Sequence, residues 1–171
     1  MAGEYYDPQK AHEYYERTKK LKGRRTTKGF NESQKAMWGY VKSELDAEKK
    51  QRNSAASETG KAKKADITAD ANEARREFTE LCKKKVEALR NKLKGMSKEQ
   101  KAQFKEKISS QIESIRKEFK AKKADVSADA KNAKADVSAS VKTEKANIKT
   151  DIDAKLDSAY QSIKAKKEVK R

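Results

Sequence analysis

The stretch FKAKKADVSADAKNAKADVSASV, residues 119–141, contains the pattern that decides the fold. Its main apolar positions are separated by seven, four, seven and four residues, so the spacing repeats every eleven. These positions are Phe119, Val126, Ala130, Val137 and Val141. Eleven residues complete three turns at about 3.67 residues per turn, close to the relaxed α-helix. Because the stretch contains no glycine or proline, it predicts a long helix with one narrow apolar stripe.

The eleven-residue spacing continues on both sides of this stretch. One series consists of Phe104, Ile115, Val126, Val137 and Ile148. A second series, offset by four residues, consists of Ile108, Phe119, Ala130, Val141, Ile152 and Ile163. Before Gly95 the two series continue as Ile67, Phe78 and Leu89, and as Ala71, Cys82 and Leu93. Residues 61–171 therefore predict a helical stalk, rich in alanine and lysine, with one apolar stripe.

A turn in the stalk is predicted where the stripe is interrupted. Gly95 breaks the pattern, and Ser97 and Gln100 have the spacing of a capping box at the start of a new helix. We expect a helical hairpin or coiled coil about Gly95, in which residue 65 lies near residue 125.

The second arm of this hairpin is much longer than the first, so we expect its last third to lack a cover within its own chain. Either another copy of the chain covers the stripe or this end is loosely ordered, and we favour a homo-oligomer. The predicted assembly stripe comprises Val137, Val141, Ile148, Ile152, Leu156 and Ile163.

Residues 1–52 predict a small, basic head of two helices that holds most of the aromatic residues. Asp7 and Gly23 are placed to begin and end a first helix. A second helix is expected to begin at Asn31, because Gln34 three residues later completes a capping box. The apolar face of this second helix consists of Met37, Trp38, Val41 and Leu45.

Composition favours thin helical packing over a thick core. Hydrophobic residues make up 34% of the chain, including 24 alanines, and charged residues make up 42%. Residues 53–60, NSAASETG, are small and polar and predict a linker. We therefore predict an all-α fold, with a two-helix head over residues 1–52, a linker over 53–60 and a stalk over 61–171 that turns near Gly95.

Catalytic and metal chemistry is not expected. The chain has one histidine, His12, and one cysteine, Cys82, so it lacks the residues of a catalytic triad or a zinc site. We predict that the protein is not an enzyme and uses no metal or cofactor. No apolar run is long enough to span a membrane, and a single cysteine fits a reducing compartment, so we expect no membrane partner and a cytoplasmic or packaged location.

Positive charge is concentrated near the N-terminus of a chain whose net charge is +17. Residues 17–28 contain seven cations and no carboxylate, and Thr26 and Thr27 add hydroxyl donors. The predicted nucleic-acid contacts are Arg17, Lys19, Lys20, Lys22, Arg24, Arg25, Thr26, Thr27 and Lys28. This pattern predicts binding mainly to phosphates, with a weak sequence preference. The alternative is a solvated turn, in which two or three of the cations complement a helix C-terminus.

Two further groups complete the predicted interface. Tyr5 and Tyr6 are candidates for stacking on exposed bases, although tyrosines beside a small core are more often packing residues. A second, smaller basic group closes the chain and consists of Lys164, Lys166, Lys167, Lys170 and Arg171.

Several short motifs resemble those of a bacteriophage group. They are EYY at 13–15, KLKGR at 20–24, TKGF at 27–30, YVKSEL at 40–45 and GMSKEQ at 95–100. Together they resemble short, basic, helical proteins of unknown function that are encoded among virion genes of tailed bacteriophages. The resemblance covers the head and the hairpin tip and matches the stalk only in character. It implies a phage protein in the virion or the host cytoplasm, and it brings no catalytic residues with it.

Three functions are compatible with these features. The first is a phage protein that binds nucleic acid through its head and assembles through its stalk. The second is an inhibitor of host nucleic-acid-guided defence, of the anti-CRISPR type, whose partner is a host nucleoprotein. The third is a structural coiled-coil scaffold or assembly factor that binds another phage protein.

Overall fold

The computed structural model describes residues 25–168 and shows two long α-helices that pack against each other. Helix α1 spans Glu32–Lys94 and contains 63 residues, and helix α2 spans Lys98–Glu168 and contains 71. Three residues, 95–97, connect them, and there is no β-strand between residues 25 and 168. The predicted all-α class and the turn near Gly95 are confirmed. The predicted first helix of the head lies outside the described residues.

Both described helices begin with the capping boxes that the sequence predicts. At the start of α1, the Gln34 amide N–H donates to Asn31 Oδ1 at 2.8 Å, and the Asn31 N–H donates to Gln34 Oε1 at 2.9 Å. The same reciprocal pair joins Ser97 and Gln100 before α2, at 3.3 and 3.4 Å. These bonds satisfy backbone donors that have no partner inside a helix.

Residues 53–60 continue α1 without interruption, so the predicted linker is helical. Ala56 is only 2% exposed and packs against Ile148 and Ile152 of α2. The small residues that resemble a linker in composition therefore form a packing surface, where a small side chain lets the two helices approach closely. The other residues of this segment are exposed or half-buried, and its one glycine, Gly60, is buried.

Contacts divide the chain into two compact units. The first combines the chain up to Thr59 with the chain from Ala139 onward, and its described part is residues 25–59 and 139–168. The second is residues 60–138 and contains the turn. The predicted head and the end of the predicted stalk therefore belong to one unit, because the apolar face at the start of α1 is covered by α2.

The core of the first unit consists of two small clusters. Phe30, Trp38, Tyr160 and Ile163 form one of them, with Leu156 and Ala159 packed against it. Ala56, Ile148 and Ile152 form the other, with Leu45 and Leu156 alongside. Among the described residues, Ile152 is the most deeply buried large side chain, at 1% exposure.

These clusters contradict our expectation that the last third of α2 has no cover in its own chain. Ile148, Ile152 and Ile163 are buried by residues 30–56, and Leu156 is half-buried between the two clusters. The remaining members of the predicted assembly stripe, Val137 and Val141, are half-buried as well. The early part of α1 is itself amphipathic, and this intrachain cover removes the reason for predicting self-association at the stripe.

In the second unit, residues of the eleven-residue series lie on the face of each helix that meets the other. Phe78 and Phe119 pack with ring centroids 6.1 Å apart. Ala71, Ile108 and Phe119 are buried. The half-buried members of the series in this unit include Ile67, Leu89, Ile115, Val126 and Val137. Most of the series is therefore buried or half-buried, although Phe104 is 38% exposed and Val86, which lies outside the series, is buried.

The pairing between the two arms of the second unit differs from the prediction. Arg75 Nη1 donates to Ser127 Oγ at 2.8 Å, and Lys122 Nζ lies 6.0 Å from the centroid of the Phe78 ring. Residues near 125 therefore face residues 75–78 rather than residue 65. Side chains lean toward the N-terminus of their own helix, so in an antiparallel pair a side chain on α1 meets one farther from the turn on α2.

An ion-pair network links the two helices of the first unit. Arg52 bonds to Asp151 across the pair and lies 3.3 Å from Glu48 on its own helix. Lys155 Nζ in turn lies 2.6 Å from Glu48 Oε1 and 3.6 Å from Asp151 Oδ2. Each carboxylate therefore lies beside one cation from each helix.

The network shifts the pKa of its members in the direction that favours charge. Hydrogen bonding to Lys155 lowers the pKa of Glu48 below 4.5, and hydrogen bonding to Arg52 lowers the pKa of Asp151 below 3.8. The same contacts raise the pKa of Lys155 and of Arg52. Because a depressed carboxylate pKa stabilises the folded state only while the group is ionised, this contribution is lost as pH falls through the folded-state pKa.

The network predicts a specific dependence of stability on acid. Lowering the pH from neutral to about 2 protonates Glu48, and wild type should lose more unfolding free energy over this interval than the variant Glu48→Gln, which has no titrating carboxyl there. Urea unfolding followed by circular dichroism measures the difference. The control is Glu58→Gln, because Glu58 is exposed and has no ion pair within residues 25–168. Identical pH profiles for wild type and Glu48→Gln would contradict the prediction.

The burial of Ile152 predicts a large effect on stability. The variant Ile152→Ala should lose about 2–5 kcal/mol of unfolding free energy, because it removes three buried carbons and leaves a cavity between the helices. Leu81→Ala is the matched control: Leu81 is 47% exposed, so its loss should be about 1 kcal/mol or less. Both are measured by urea unfolding, and equal losses would show that Ile152 is not a packing centre.

Candidate nucleic-acid interface

The basic loop of residues 25–30 is held in one conformation by backbone contacts. The Tyr160 hydroxyl donates to the Thr26 carbonyl at 2.9 Å, across 134 residues of sequence. Within the loop, the Phe30 N–H donates to the Thr27 carbonyl at 3.0 Å. Gly29 has a φ of 87°, in the left-handed region that side-chain-bearing residues rarely adopt. The loop is therefore a defined turn tied to α2.

An aromatic cluster fixes the position of Tyr160 beneath the loop. Its ring stacks on Phe30 with centroids 5.4 Å apart and an interplanar angle of 29°. It also meets the edge of Trp38 at 5.5 Å and 74°. Aromatic pairs at these distances are favourable beyond their burial alone. The cluster thus joins the loop, the start of α1 and the end of α2.

Gln34 is a second tie between the two ends of the described chain. It is 5% exposed, and beyond its role in the capping box its Nε2 donates to the carbonyl of Ile163 at 3.0 Å. A buried polar side chain without hydrogen-bond partners would lower the stability of the fold. The Gln34 side chain bonds to Asn31 and to Ile163, and these bonds fix the position of the first turn of α1 against α2. The start of α1 is therefore bonded to the main chain of α2 at the point where the C-terminal basic group begins.

Four of the predicted contact residues lie in this loop. Thr26, Thr27 and Lys28 are exposed, and Arg25 is half-buried. The carbonyls of Thr26 and Thr27 are used to fix the loop, and their hydroxyls have no partner among residues 25–168. The other predicted contacts, Arg17, Lys19, Lys20, Lys22 and Arg24, and the stacking candidates Tyr5 and Tyr6, lie outside the described residues.

Two residues of the second basic group lie near the Tyr160 end of the loop's contacts, on the last turns of α2. Lys164 and Lys166 are exposed on the last turns of α2, directly after Tyr160 and Ile163. Lys166 Nζ lies 3.9 Å from the sulfur of Met37 on α1. Lys170 and Arg171 lie outside the described residues, as does the side chain of Lys167. The described parts of two basic segments that are far apart in sequence therefore lie in the same unit, where Tyr160 joins α2 to the loop.

This surface also has a concave part. A groove of about 510 Å³ lies between the first turns of α1 and the last turns of α2. Met37 and Ile163 supply its apolar lining, Ser33 and Ser162 supply hydroxyls, and Lys166 supplies a charge. The groove offers both a cation and hydrogen-bonding groups to a ligand that lies along the two helices.

Sequence reasoning did not identify Tyr160 or the Gln34–Ile163 bond as parts of the site. A signal for Tyr160 was available, because it is the only aromatic residue after Phe119 and it lies three residues before the stripe residue Ile163. A large aromatic side chain in a stripe of smaller aliphatic residues indicates that more apolar surface covers the stripe at this position than elsewhere. The Gln34–Ile163 bond had no such signal, since a main-chain acceptor is present at every residue.

No group of three or more His, Cys, Asp or Glu residues between residues 25 and 168 is arranged to hold a metal ion. Over the same range, neither helix has a segment that is both long and apolar enough to cross a membrane.

Comparison with known proteins finds no matching family model, no similar curated protein and no similar solved structure. The resemblance to bacteriophage proteins accordingly stays a prediction.

The bond between Tyr160 and the loop predicts a measurable contribution to stability. Tyr160→Phe keeps the ring and removes the hydroxyl, so it should lower the unfolding free energy by about 1 kcal/mol and speed hydrogen exchange at the Phe30 amide. Tyr40→Phe is the control, because Tyr40 is 68% exposed and makes no hydrogen bond within the described residues. Equal effects in the two variants would mean that the Tyr160 hydroxyl does not hold the loop.

Proposed function

We propose that the protein binds nucleic acid, without catalysing a reaction, through the basic surface where the loop of residues 25–30 meets the end of α2. The observation that carries this proposal is the convergence of two basic segments. The loop is bonded to Tyr160, and Lys164 and Lys166 follow within six residues. A phosphate backbone that lies across this surface would contact cations from both segments at once.

The charge balance of the two sequence segments that contribute to this surface favours a polyanion as the partner. Residues 17–28 contain seven cations and residues 164–171 contain five, against one carboxylate, Glu168. Glu32, at the start of α1, is paired with Lys35 at 3.1 Å. Each cation that contacts a phosphate releases counterions from the nucleic acid, so the affinity from such a cluster is large at low salt and falls steeply as salt rises.

The geometry of the loop supports phosphate binding over simple solvation. Its backbone is fixed by Tyr160 and by the turn at Gly29, so the main chain that carries Thr26, Thr27 and Lys28 loses little conformational freedom when the loop binds a ligand. Hydroxyl and cationic groups are the usual donors to phosphate oxygens and carry little base specificity. We place this activity in a bacteriophage, in the virion or the host cytoplasm, on the sequence resemblance alone.

Removing the described cations of this surface should weaken binding in a characteristic way. In the variant Arg25→Ala/Lys28→Ala/Lys164→Ala/Lys166→Ala, affinity should fall by a similar factor for unrelated DNA sequences. The slope of log affinity against log salt should become shallower by about 0.9 for each phosphate that the variant no longer neutralises. Fluorescence anisotropy with labelled duplexes over a series of salt concentrations measures both quantities, and single-stranded DNA and RNA probes identify the preferred nucleic acid.

The matched control removes the same charge elsewhere. Lys61, Lys63, Lys105 and Lys107 are exposed, have no ion pair within residues 25–168 and lie in the second unit. When these four lysines are replaced by alanine, the protein should keep most of its affinity for DNA, and the slope of log affinity against log salt should stay close to that of wild type. Equal losses in the two variants would show that binding follows net charge, and an unchanged slope in the first variant would show that the loop is only a solvated turn.

A further inference from the structure

A second cationic surface lies in the unit of residues 60–138, near the end of α1. It is a groove of about 400 Å³ that both helices line. Lys83, Arg90 and Lys94 reach it from α1 and Arg116 reaches it from α2, while Glu87 is the one carboxylate in its lining. None of these residues belongs to the loop or to the C-terminal basic group.

The cations of this groove are poorly neutralised by the protein. Lys83 lies 3.6 Å from Glu80, and this is the one ion pair that any of the four makes within the described residues. By contrast, Arg52 and Arg75 each bond to a side chain across the helix pair. The groove therefore concentrates positive charge that the rest of the fold neutralises only in part.

Ordinary structural causes account for only part of this arrangement. Lys94 lies in the last turn of α1, where a cation complements the helix dipole. Lys83 lies three turns earlier, and Arg116 lies well inside α2. Arg90 and Lys94 are four residues apart on one helix face, a spacing at which like charges destabilise a helix. An anionic ligand in the groove would relieve this repulsion.

We propose that the groove binds a phosphate-bearing anion, with Arg90 and Arg116 contacting it from opposite helices. The planar guanidinium group presents paired donors that match phosphate oxygens, and two such groups from different helices hold an anion from both sides. Lys83 and Lys94 add charge at the edges of the groove. The site is separate from the proposed nucleic-acid surface and does not depend on it.

The single cysteine of the chain provides a reporter for this site. Cys82 is half-buried and lines the groove. A ligand bound between Arg90 and Arg116 should restrict access to its thiol. The full chain can therefore be labelled with N-ethylmaleimide, a neutral reagent, with and without tripolyphosphate at constant ionic strength. A ligand at about ten times its Kd should slow labelling about tenfold, because only the unoccupied fraction reacts.

The critical variant is Arg90→Ala/Arg116→Ala, and its matched control is Arg76→Ala/Lys117→Ala. Each removes one cation from each helix, all four side chains are exposed, and Arg76 and Lys117 do not line the groove. Tripolyphosphate should slow labelling in wild type and in the control but not in Arg90→Ala/Arg116→Ala. Calorimetric titration of the same three proteins with tripolyphosphate provides a measurement that does not depend on Cys82.

The site is supported if Arg90→Ala/Arg116→Ala loses the protection of Cys82 or the binding heat while wild type and the control variant keep it. The proposal is overturned if wild type shows neither protection nor binding heat, or if the two variants behave alike. A parallel arm with a short DNA duplex in place of tripolyphosphate identifies the source of the phosphate. Protection by the duplex assigns the groove to a nucleic-acid backbone, and protection by tripolyphosphate alone assigns it to a small phosphate ligand.

Discussion

The structure depends on the burial of one narrow apolar stripe along each of two very long helices. Neither stripe can be buried by its own helix, and the chain has too few large apolar residues to build a core of any other shape. Each helix is therefore the main source of cover for the other. The capping boxes, the turn at residues 95–97 and the ion pairs between the helices all act on this single pairing, by starting, reversing or aligning the helices.

Much of the fold could be predicted from local sequence. The start of α1, helix α2, the turn near Gly95 and the capping boxes at Asn31 and Ser97 depend on residues within four positions of one another, and these predictions are confirmed. The eleven-residue series also identified the face of α2 that is buried at Phe119 and Ile152. In each case a physical rule links a short spacing to a structural outcome.

The choice of packing partner could not be predicted in the same way. A stripe shows which face of a helix must be covered, but not which apolar face covers it, and Trp38 and Leu45 were assigned to a separate head although they cover the end of α2. The error in the linker prediction has a related cause. Ala56 belongs to a run of small polar residues that matches a loop in composition, but a small side chain is also what a close contact between helices requires. For the candidate site, the cations are visible in the sequence and Tyr160 has a signal, whereas the bond from Gln34 to the Ile163 carbonyl has none.

The bond between Tyr160 and Thr26 has a consequence for the synthesis of the chain. A ribosome that adds about 5–20 residues per second needs roughly 7–27 seconds to pass from Thr26 to Tyr160, which are 134 residues apart. Throughout that interval the basic segment is already made, while the residues that hold its loop are not. Nascent or prematurely terminated chains therefore have the charge without the fixed loop. The geometry of the proposed phosphate-binding surface is therefore acquired only after nearly all of α2 has been translated.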